Sequence, residues 1–410
     1  MRRVVITGMG VVSPLGCSLS STWERLHKFE NAVQTLPELE KYKGLNAHLA
    51  SPAMKFEMPT HYTRKVLRSM GPVSILALYS AEQAIKQAGL ENNDCITNGR
   101  TGVAYGSSFG SIEPINDFFG MLKNNEIGSF NSSTYIKIMP HTAGVNLSLY
   151  FKTTGRFIPT GTACTSGSLA IGYAYEAIKS GSQDVMIAGG AEEFSPTQIA
   201  VFDTLFATSI KNNTPNKTPS PFDKNRDGLV IGEGAGTLIL EEYEHAKARG
   251  AKIIAEIVGF GTNTDGTHIT HPNSITMAKC MGLALDSAGL KESQIGYINA
   301  HGTATKQGDI AETIATEAIF GSKTPISSLK SYTGHTLGAC GALETIWATE
   351  MMNNNWFTPT LNLETPDDEC GKLDYIMGEA RTIDTEYIIT NNFAFGGINT
   401  SIILKKMKGN

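Results

Sequence analysis

Hydrophobic positions follow two alternating periods along the whole chain. Short runs rich in Val, Ile and Tyr have the pattern of strands, whereas longer segments repeat small and apolar residues at helical spacing. The strand-like runs are RRVVITG, TGVAYGS, DVMIAGGA, AGTLILEE, AKIIAEIVGFG, IGYINAHGT, TPISSLKS and EYIITNNFAFGG. The helix-like segments are VSILALYSAEQAIKQAG, GTACTSGSLAIGYAYEAI, TMAKCMGLALDSAG, DIAETIATEAIF and GALETIWATEMM. This alternation predicts an α/β fold.

The two halves of the chain resemble each other around one turn. TACTSGSLAIGYA in the first half and TGHTLGACGALET in the second are both Gly-rich turns that carry a reactive side chain and open a helix of small residues. We interpret this as an internal duplication, with a boundary near Gly250 that gives halves of residues 1–250 and 251–410. Small faces on both helices would let them pack closely at the centre.

Composition and charge argue against several classes of protein. The 410 residues carry a formal net charge of −5, whereas general nucleic-acid binding needs a basic surface. The six cysteines include no Cys-x-x-Cys pair and no spacing of a zinc site, which predicts free thiols in a reducing compartment. Apolar runs are too short for a signal peptide or a membrane span. We therefore expect a cytoplasmic protein without a metal site, a nucleic-acid partner or a membrane span.

The candidate chemistry centres on one cysteine and two histidines. Cys164 stands at the predicted start of a helix of small residues, where unpaired N–H groups favour an anion and should lower the thiol pKa. A buried structural cysteine is the alternative. His301 follows a strand, and His335 lies in a Gly-rich turn shortly after Lys330. Catalytic groups gather on such loops, although a structural or surface role remains the alternative for each histidine.

Three other features are weaker signals. TGMGVVSP follows a strand, but Ser13 stands where a dinucleotide-binding fingerprint needs its third glycine. DKNRDG, residues 223–228, imitates the start of a calcium loop, but the twelfth position is Gly234 instead of glutamate, so a turn held by Asp side chains is the better interpretation. His268 and His271 are expected to be peripheral.

Five motifs together carry a resemblance to a known family. TACTSG, NAHGT, KSYTGHTLGACGALE, PFDKNRDGLVIGEGAG and FAFGG resemble the β-ketoacyl-ACP synthases of type II fatty-acid and polyketide systems, most closely the synthase II group, over essentially the whole chain. The resemblance implies a thiolase-like fold, with duplicated βαβαβαββ halves in five αβαβα layers. It implies decarboxylative Claisen condensation of an acyl thioester with malonyl-ACP, without a cofactor beyond the phosphopantetheine of the acyl carrier protein.

The resemblance also implies the roles of individual residues. The catalytic positions are Cys164, His301, His335, Lys330 and Glu344. Cys164 would receive the acyl group, the two histidines would donate hydrogen bonds to the carbanion, and Lys330 and Glu344 would tune charge and orientation. Backbone N–H groups of Cys164 and Phe395 would form the oxyanion hole.

The substrate-binding positions implied by the resemblance are Phe109, Phe202, Thr303, Thr305, Ala394 and Phe395. Thr303 and Thr305 match hydroxyls that hold the pantetheine arm. Ala394 replaces the family glycine before the gating Phe395, which should restrict that loop. Phe109 stands where a smaller residue commonly lines the acyl pocket, which predicts short or planar unsaturated acyl chains. Together with VFDTLFATS, residues 201–209, this resembles the ketosynthases of specialised polyene or aryl-polyene pathways.

Partners follow from the same resemblance. An acidic carrier protein needs a basic landing site, which Arg64, Lys65 and Arg68 could supply, with a solvated helical face as the alternative. The family is usually dimeric, and both a homodimer and a heterodimer with a chain-length-factor-like paralogue remain open. A thiolase-type acyltransferase is the rival enzyme. The non-catalytic alternative is an inactive chain-length partner subunit. Such a subunit lacks the nucleophile, whereas this chain has Cys164.

Overall fold

The computed structural model of the protein describes residues 2–407, and the following elements lie within them. The strands are β1 (Val4–Val12), β2 (Gln34–Thr35), β3 (Leu49–Ser51), β4 (Thr101–Gly106), β5 (Phe157–Thr160), β6 (Val185–Glu192), β7 (Ile231–Gly232), β8 (Gly234–Glu242), β9 (Ala255–Thr264), β10 (Ile295–Asn299), β11 (Pro325–Ser327), β12 (Trp356–Phe357), β13 (Asp374–Tyr375), β14 (Arg381–Thr382), β15 (Tyr387–Ala394) and β16 (Ile398–Lys406). The α-helices are α1 (Leu19–His27), α2 (Arg64–Leu67), α3 (Pro72–Gln87), α4 (Ile115–Asn124), α5 (Ser132–Ile138), α6 (Thr142–Phe151), α7 (Ser166–Lys179), α8 (Pro196–Asp203), α9 (Tyr243–Ala248), α10 (Ser274–Ala288), α11 (Lys306–Phe320), α12 (Lys330–Thr333) and α13 (Cys340–Asn353).

The main sheet repeats one topology twice. Its 11 strands run in the order β13-β11-β10-β15-β16-β9-β1-β8-β6-β4-β5. Outward from the centre, the first half has the order β1-β8-β6-β4-β5 and the second half β9-β16-β15-β10-β11, so corresponding strands take corresponding places, and β13 is an additional strand at the edge of the second half. The halves join through an antiparallel pairing of β1 with β9. This repeat supports the duplication expected from the sequence, and Gly250 falls in the connection between α9 and β9.

Helices α7 and α13 form the central layer. Each contacts strands of both halves, while α3 and α6 cover the outer face of the first half and α10 covers that of the second. The five αβαβα layers expected from the resemblance are therefore present. A Cβ at Gly167 of α7 would lie 2.9 Å from the carbonyl oxygen of Gly338, just before α13. The absence of a side chain there lets the two halves meet closely.

The central helix α13 is buried on nearly every side. Both halves of the main sheet and α7 surround this helix, and its sequence accordingly has no polar face. Its threonines satisfy their hydroxyls locally: Thr345 donates to the carbonyl of Gly341 at 2.6 Å, and Thr349 donates to that of Thr345 at 2.7 Å.

The glycines of the first strand serve packing. A Cβ at Gly8 would lie 2.1 Å from the carbonyl oxygen of Ala84, and one at Gly10 would lie 2.0 Å from that of Ser80. Helix α3 therefore rests directly on the backbone of β1. This contact gives the glycine pair of TGMGVVSP a structural reason.

The segment DKNRDG forms a turn held by an Asp side chain. Asp223 accepts a hydrogen bond from the N–H of Asn225 at 2.8 Å, and its other oxygen accepts those of Glu364 and Thr365. These contacts agree with the turn interpretation. Among the described residues, none of the helices combines the length and the apolar character needed to cross a membrane.

Candidate active site

Cys164 lies in a 3-10 turn, Ala163–Thr165, that leads directly into α7. The turn is sharp because Ala163 adopts a left-handed conformation with φ of 49°. Leu337, at the matching turn before α13, does the same with φ of 46°. Each half therefore presents one strained turn at the start of its central helix, and the two turns contact each other.

The thiol of Cys164 is buried, and this corrects one expectation. Burial raises its pKa to about 11, although Lys330 and the backbone N–H groups of Phe395 and Cys164 act in the opposite direction. The lowered pKa expected from the helix start is wrong for the free protein, because removal of water around the sulfur outweighs those groups. The same N–H groups face the position where an oxyanion or thiolate would develop.

Both histidines face the cysteine. His301 follows β10, and His335 lies between α12 and the turn before α13. Their rings are arranged edge to face with centroids 5.1 Å apart. The Cys164 sulfur and one nitrogen of each ring all lie within 4.8 Å of one another. The fold thus brings together three side chains that are distant in the sequence.

Neighbouring groups fix the tautomer of each ring. The N–H of Leu337 donates to Nδ1 of His335 at 3.2 Å, so the proton of the neutral ring lies on Nε2. The amide of Asn392 lies 3.4 Å from Nδ1 of His301 and can only donate to it. Nε2 of His335 is buried and has no hydrogen-bond partner among residues 2–407. Each ring therefore presents an N–H donor.

Both rings are neutral. Burial lowers the pKa of His301 and of His335 well below 6.5, and the positive charge of Lys330 adds to the effect on each. Neutral imidazoles can donate hydrogen bonds to a developing anion without carrying a charge themselves.

Lys330 and Glu344 form a buried ion pair beside the histidines. The Lys330 ammonium lies 2.5 Å from the carboxylate of Glu344, and both side chains are almost fully buried. Burial acts to lower the pKa of Lys330, but the charge and hydrogen bond of Glu344, together with Cys340 and Glu312, raise that pKa overall. Asn392 donates to the other oxygen of Glu344 at 2.7 Å. Asn392 therefore links this pair to His301.

Two buried carboxylates accept hydrogen bonds from the backbone of the loops around the site. Glu312 accepts the N–H groups of His301 and Gly302, both at 2.7 Å, and burial raises its pKa to about 8. Glu192 accepts the N–H groups of Ser108 at 2.7 Å and Gly338 at 3.0 Å. Sequence reasoning missed Asn392, Glu312 and Glu192. Of these three residues, only Glu312 could have been recognised from the sequence, because it is an acidic residue among the apolar positions of α11.

A cavity of about 550 Å³ opens onto this group. Predicted site residues on its wall are Cys164, Phe202, His301, Thr303, Thr305, His335, Ala394 and Phe395. The rings of Phe202 and Phe395 stack with centroids 5.1 Å apart, and the hydroxyls of Thr303 and Thr305 lie 2.9 Å apart. His268 and His271 also line this cavity, with side chains that are exposed to solvent.

The remaining predicted residues lie elsewhere. Phe109 is 47% exposed and is not on the wall of this cavity in the part of the chain that is described. The hydroxyl of Ser107 accepts the N–H of Gly110 at 3.0 Å and closes the loop that carries Phe109. Arg64, Lys65 and Arg68 lie exposed on and just after α2 and form no ion pair with the described residues.

Comparisons with known proteins agree with this geometry. The model of the β-ketoacyl synthase N-terminal domain matches residues 1–246, and that of the C-terminal domain matches residues 254–364. The chain is 39% identical to 3-oxoacyl-[acyl-carrier-protein] synthase 2 of Vibrio cholerae over 99% of both chains. It is 36% identical to 3-oxoacyl-[acyl-carrier-protein] synthase 1 of Haemophilus influenzae over 100% of both.

Solved structures give the same result. A β-ketoacyl synthase from Burkholderia phymatum superposes with a TM-score of 0.98 at 55% identity, over 100% of both chains. The ishigamide ketosynthase/chain length factor superposes with a TM-score of 0.90 at 29% identity, over 99% of this chain and 100% of that one. The chain belongs to the β-ketoacyl synthase family.

Proposed function

We propose that this protein is a 3-oxoacyl-[acyl-carrier-protein] synthase, with Cys164 as nucleophile and His301 and His335 as hydrogen-bond donors. The observation that carries the proposal is the set of two neutral N–H donors and one thiol around a single cavity. The names of the curated relatives support the reaction class.

The first step is transfer of an acyl group to Cys164. The sulfur forms a bond to the carbonyl carbon of the acyl thioester, and the bond from that carbon to the pantetheine sulfur breaks. The proton of the Cys164 thiol ends on the released pantetheine thiol, so no external base is consumed. The N–H groups of Cys164 and Phe395 hold the oxygen of the tetrahedral intermediate, and one such donor contributes about 3–4 kcal/mol.

The second step forms the carbon–carbon bond. Malonyl-ACP loses carbon dioxide, and the electron pair of the broken bond becomes an enolate whose oxygen accepts the Nε2–H groups of His301 and His335. The enolate carbon then attacks the acyl carbonyl on Cys164. The sulfur leaves as a thiolate, which Lys330 stabilises until it takes a proton from water, so one proton is consumed for each carbon dioxide released. The product is a β-ketoacyl group on the carrier protein, and the phosphopantetheine arm is the carrier of both substrates.

The proposed landing site of the carrier protein is the exposed basic group Arg64, Lys65 and Arg68. The chain as a whole has a net charge of −5, so an acidic partner requires such a local patch. One structural neighbour is described as an acyl carrier protein in complex with its ketosynthase. Arg68→Glu should raise KM for the carrier protein with little change in kcat.

The proposed assembly is a dimer formed by the edge of the first half. Strand β5 is the last strand of the main sheet, and its outer edge is unpaired among the described residues. Large apolar side chains are exposed on β5 and along the part of the chain that leads to it, namely Phe119, Leu122, Ile127, Tyr135, Leu149 and Phe157. An area of this kind marks a protein interface. A second copy and an inactive chain-length-factor-like paralogue both fit, and native mass spectrometry of the purified chain distinguishes them.

We also propose a preference for short or planar unsaturated acyl groups and a role in a specialised polyene or aryl-polyene pathway. Phe109 supports the preference through its bulk, and its exposed position means that it would act where a second chain completes the pocket. All six cysteines are free thiols, which supports a reducing, cytoplasmic location. Efficient elongation of long saturated primers would contradict the narrow pocket.

The test of the reaction separates its two steps. Intact-protein mass spectrometry after incubation with hexanoyl carrier protein should show one acyl group on the wild type and none on Cys164→Ala. Release of carbon dioxide from malonyl carrier protein should persist in Cys164→Ala and fall in His335→Gln. Acetyl-CoA condensation without malonyl carrier protein would favour the thiolase alternative. An unacylated wild type would favour an inactive partner subunit.

A further inference from the structure

The basic residues Arg64, Lys65 and Arg68 lie on a segment, residues 61–70, that is too short to keep its shape alone. In this basic segment, α2 spans four residues, and the hydroxyl of Thr63 caps it with one hydrogen bond of 3.5 Å. Helices of this length are unstable in water unless other parts of the protein hold them. The position of the three basic side chains therefore depends on the contacts of the basic segment with the rest of the fold.

One carboxylate of α3 holds the start of the basic segment. Glu82 accepts a hydrogen bond from Nε2 of His61 at 2.9 Å and one from the hydroxyl of Tyr62 at 2.7 Å. The hydroxyl of Tyr150 on α6 donates to the same carboxylate. Tyr62 is buried, and its burial and its bond to Glu82 raise its pKa, so the hydroxyl keeps the proton that it donates. Glu82 thus joins the basic segment to two helices of the first half.

The other end of the basic segment is held by a buried amide. The hydroxyl of Ser69 donates to the side-chain oxygen of Asn146 at 2.6 Å, and the amide of Asn146 donates to the carbonyl of Ser69 at 3.2 Å. Val66 and Leu67 pack against the apolar cluster below. The basic segment is therefore held at both ends, and its three basic side chains are exposed between them.

The charge of Glu82 makes its role testable by sign. Among residues 2–407, Glu82 forms an ion-pair contact with His61 and with no Lys or Arg. A negative charge close to a basic group weakens the attraction of that group for an acidic partner. If Glu82 acted through its charge alone, its removal would improve the binding of an acidic protein. If it acts by holding the basic segment, its removal impairs that binding.

We propose that Glu82 is a positioning residue for the carrier protein, because it holds the basic segment so that Arg64, Lys65 and Arg68 form one ordered surface. This inference rests on the proposed docking of the carrier protein at these three residues. A surface that is already ordered loses less conformational entropy when its partner binds. Glu82 is not among the described residues that line the catalytic cavity, so it acts on docking and not on the chemical steps.

The rate of Cys164 acylation, measured against the concentration of hexanoyl carrier protein, tests the proposal. Glu82→Gln should raise the half-saturating concentration about tenfold, as expected for one lost hydrogen bond to a charged group, with the maximal rate within about twofold. Glu57→Gln removes the same charge from an exposed position four residues before His61 and should not raise that concentration. Hexanoyl-pantetheine, which has no carrier protein, should acylate both variants at the wild-type rate.

A variant without the basic charges separates this inference from the docking site on which it rests. When Arg64→Ser, Lys65→Ser and Arg68→Ser are combined, adding Glu82→Gln should change the half-saturating concentration by less than about twofold, because no charge is left to position. Wild-type half-saturation in the charge-free variant would refute the docking site and this inference with it. A raised value there, with an unchanged or lowered value for Glu82→Gln alone, would refute the inference only.

A merely structural role gives a different result. Glu82→Gln would then have the same effect with and without the basic charges, or would slow acylation by hexanoyl-pantetheine as well, and either outcome would overturn the proposal. Hydrogen exchange over residues 61–70 should be faster in Glu82→Gln, and an unchanged rate would also overturn it. If Glu82→Gln does not fold, Tyr62→Phe removes one donor, keeps the ring and should raise the half-saturating concentration about threefold. An unchanged value for Tyr62→Phe would then reject the proposal.

Discussion

Replacement of His335 by Gln should reduce the number of protons that the protein takes up when it unfolds at mildly acidic pH. Burial and Lys330 lower the pKa of His335 well below 6.5 in the folded protein. In the unfolded chain the ring regains its ordinary pKa of about 6.5. Unfolding therefore binds a proton to this ring, and a glutamine at the same position binds none.

The size of the effect follows from these two states. At pH 5.5 an unfolded imidazole is about 0.9 protonated and the folded one is close to zero, so the wild type should take up about 0.9 proton more than His335→Gln. The sign follows from the lowered pKa: the stabilisation is complete above pH 6.5 and is lost as pH falls. The corresponding loss is about 1.2 kcal/mol of unfolding free energy per pH unit.

The measurement is a pH-stat titration during unfolding by urea, and it needs no reversibility. Buried acids such as Glu312, whose pKa is raised to about 8, release protons on unfolding and act in the opposite direction. They are common to both proteins and cancel in the difference, because Gln and neutral His carry the same charge. His301→Gln should show a similar deficit, and the double variant about twice as much.

Equal proton uptake by the wild type and His335→Gln would refute the reasoning. It would mean that the folded ring is already protonated at pH 5.5. A charged ring would still attract an enolate, but its neutral form would then appear only at higher pH. Carbon dioxide release would fall as pH rises from 6 to 8, whereas neutral donors predict a flat profile in that range.

Three further predictions concern the support of the site. Lys330→Met leaves the carboxylate of Glu344 buried without its ammonium and should lower the unfolding free energy in urea by about 3–5 kcal/mol, while the double variant with Glu344→Leu should recover most of it. Gly167→Ala places a Cβ 2.9 Å from a backbone carbonyl of the facing turn and should cost about 1–3 kcal/mol, whereas Gly282→Ala, whose Cβ meets nothing within 4 Å, should gain about 0.5–1 kcal/mol. Asn392→Leu removes the donor that fixes one histidine tautomer and should reduce carbon dioxide release about 10²–10³-fold, with acylation largely retained; equal losses in both half-reactions would contradict the tautomer argument.

The main elements of the fold could be predicted from the sequence because their burial leaves a strong pattern. Every strand-like run contains a strand, and every helix-like segment contains an α-helix. Eight strands lie outside these runs. Seven of them are short, namely β2, β3, β5, β7, β12, β13 and β14, which span two to four residues and show little period, whereas the nine-residue β16 follows β15 after a tight turn. Eight α-helices, namely α1, α2, α4, α5, α6, α8, α9 and α12, also lie outside the helix-like segments, because each spans ten residues or fewer and offers few turns in which a period can show.

Only those residues of the candidate site that lie in a recognisable motif could be predicted from the sequence. Cys164, His301 and His335 stand in distinctive turns, and the fold brings them together. Asn392 lies within a strand, and its role depends on α13 passing beside β15, which no local pattern shows. The prediction of a lowered pKa for Cys164 was wrong for the same reason. A helix start can be recognised in the sequence, but the depth of burial cannot.

The arrangement of charges explains why a site for anionic intermediates contains neutral histidines. Lys330 and Glu344 form a pair without net charge, yet the ammonium is close enough to lower the pKa of both rings and of the Cys164 thiol. Burial, with the added charge of Lys330, therefore keeps protons off the imidazoles in the resting protein, and Lys330 also stabilises the sulfur anion when it forms. A protonated histidine would already attract the thiolate in the resting protein, before any enolate forms. Neutral donors avoid this, because they stabilise the enolate oxygen only when its charge develops.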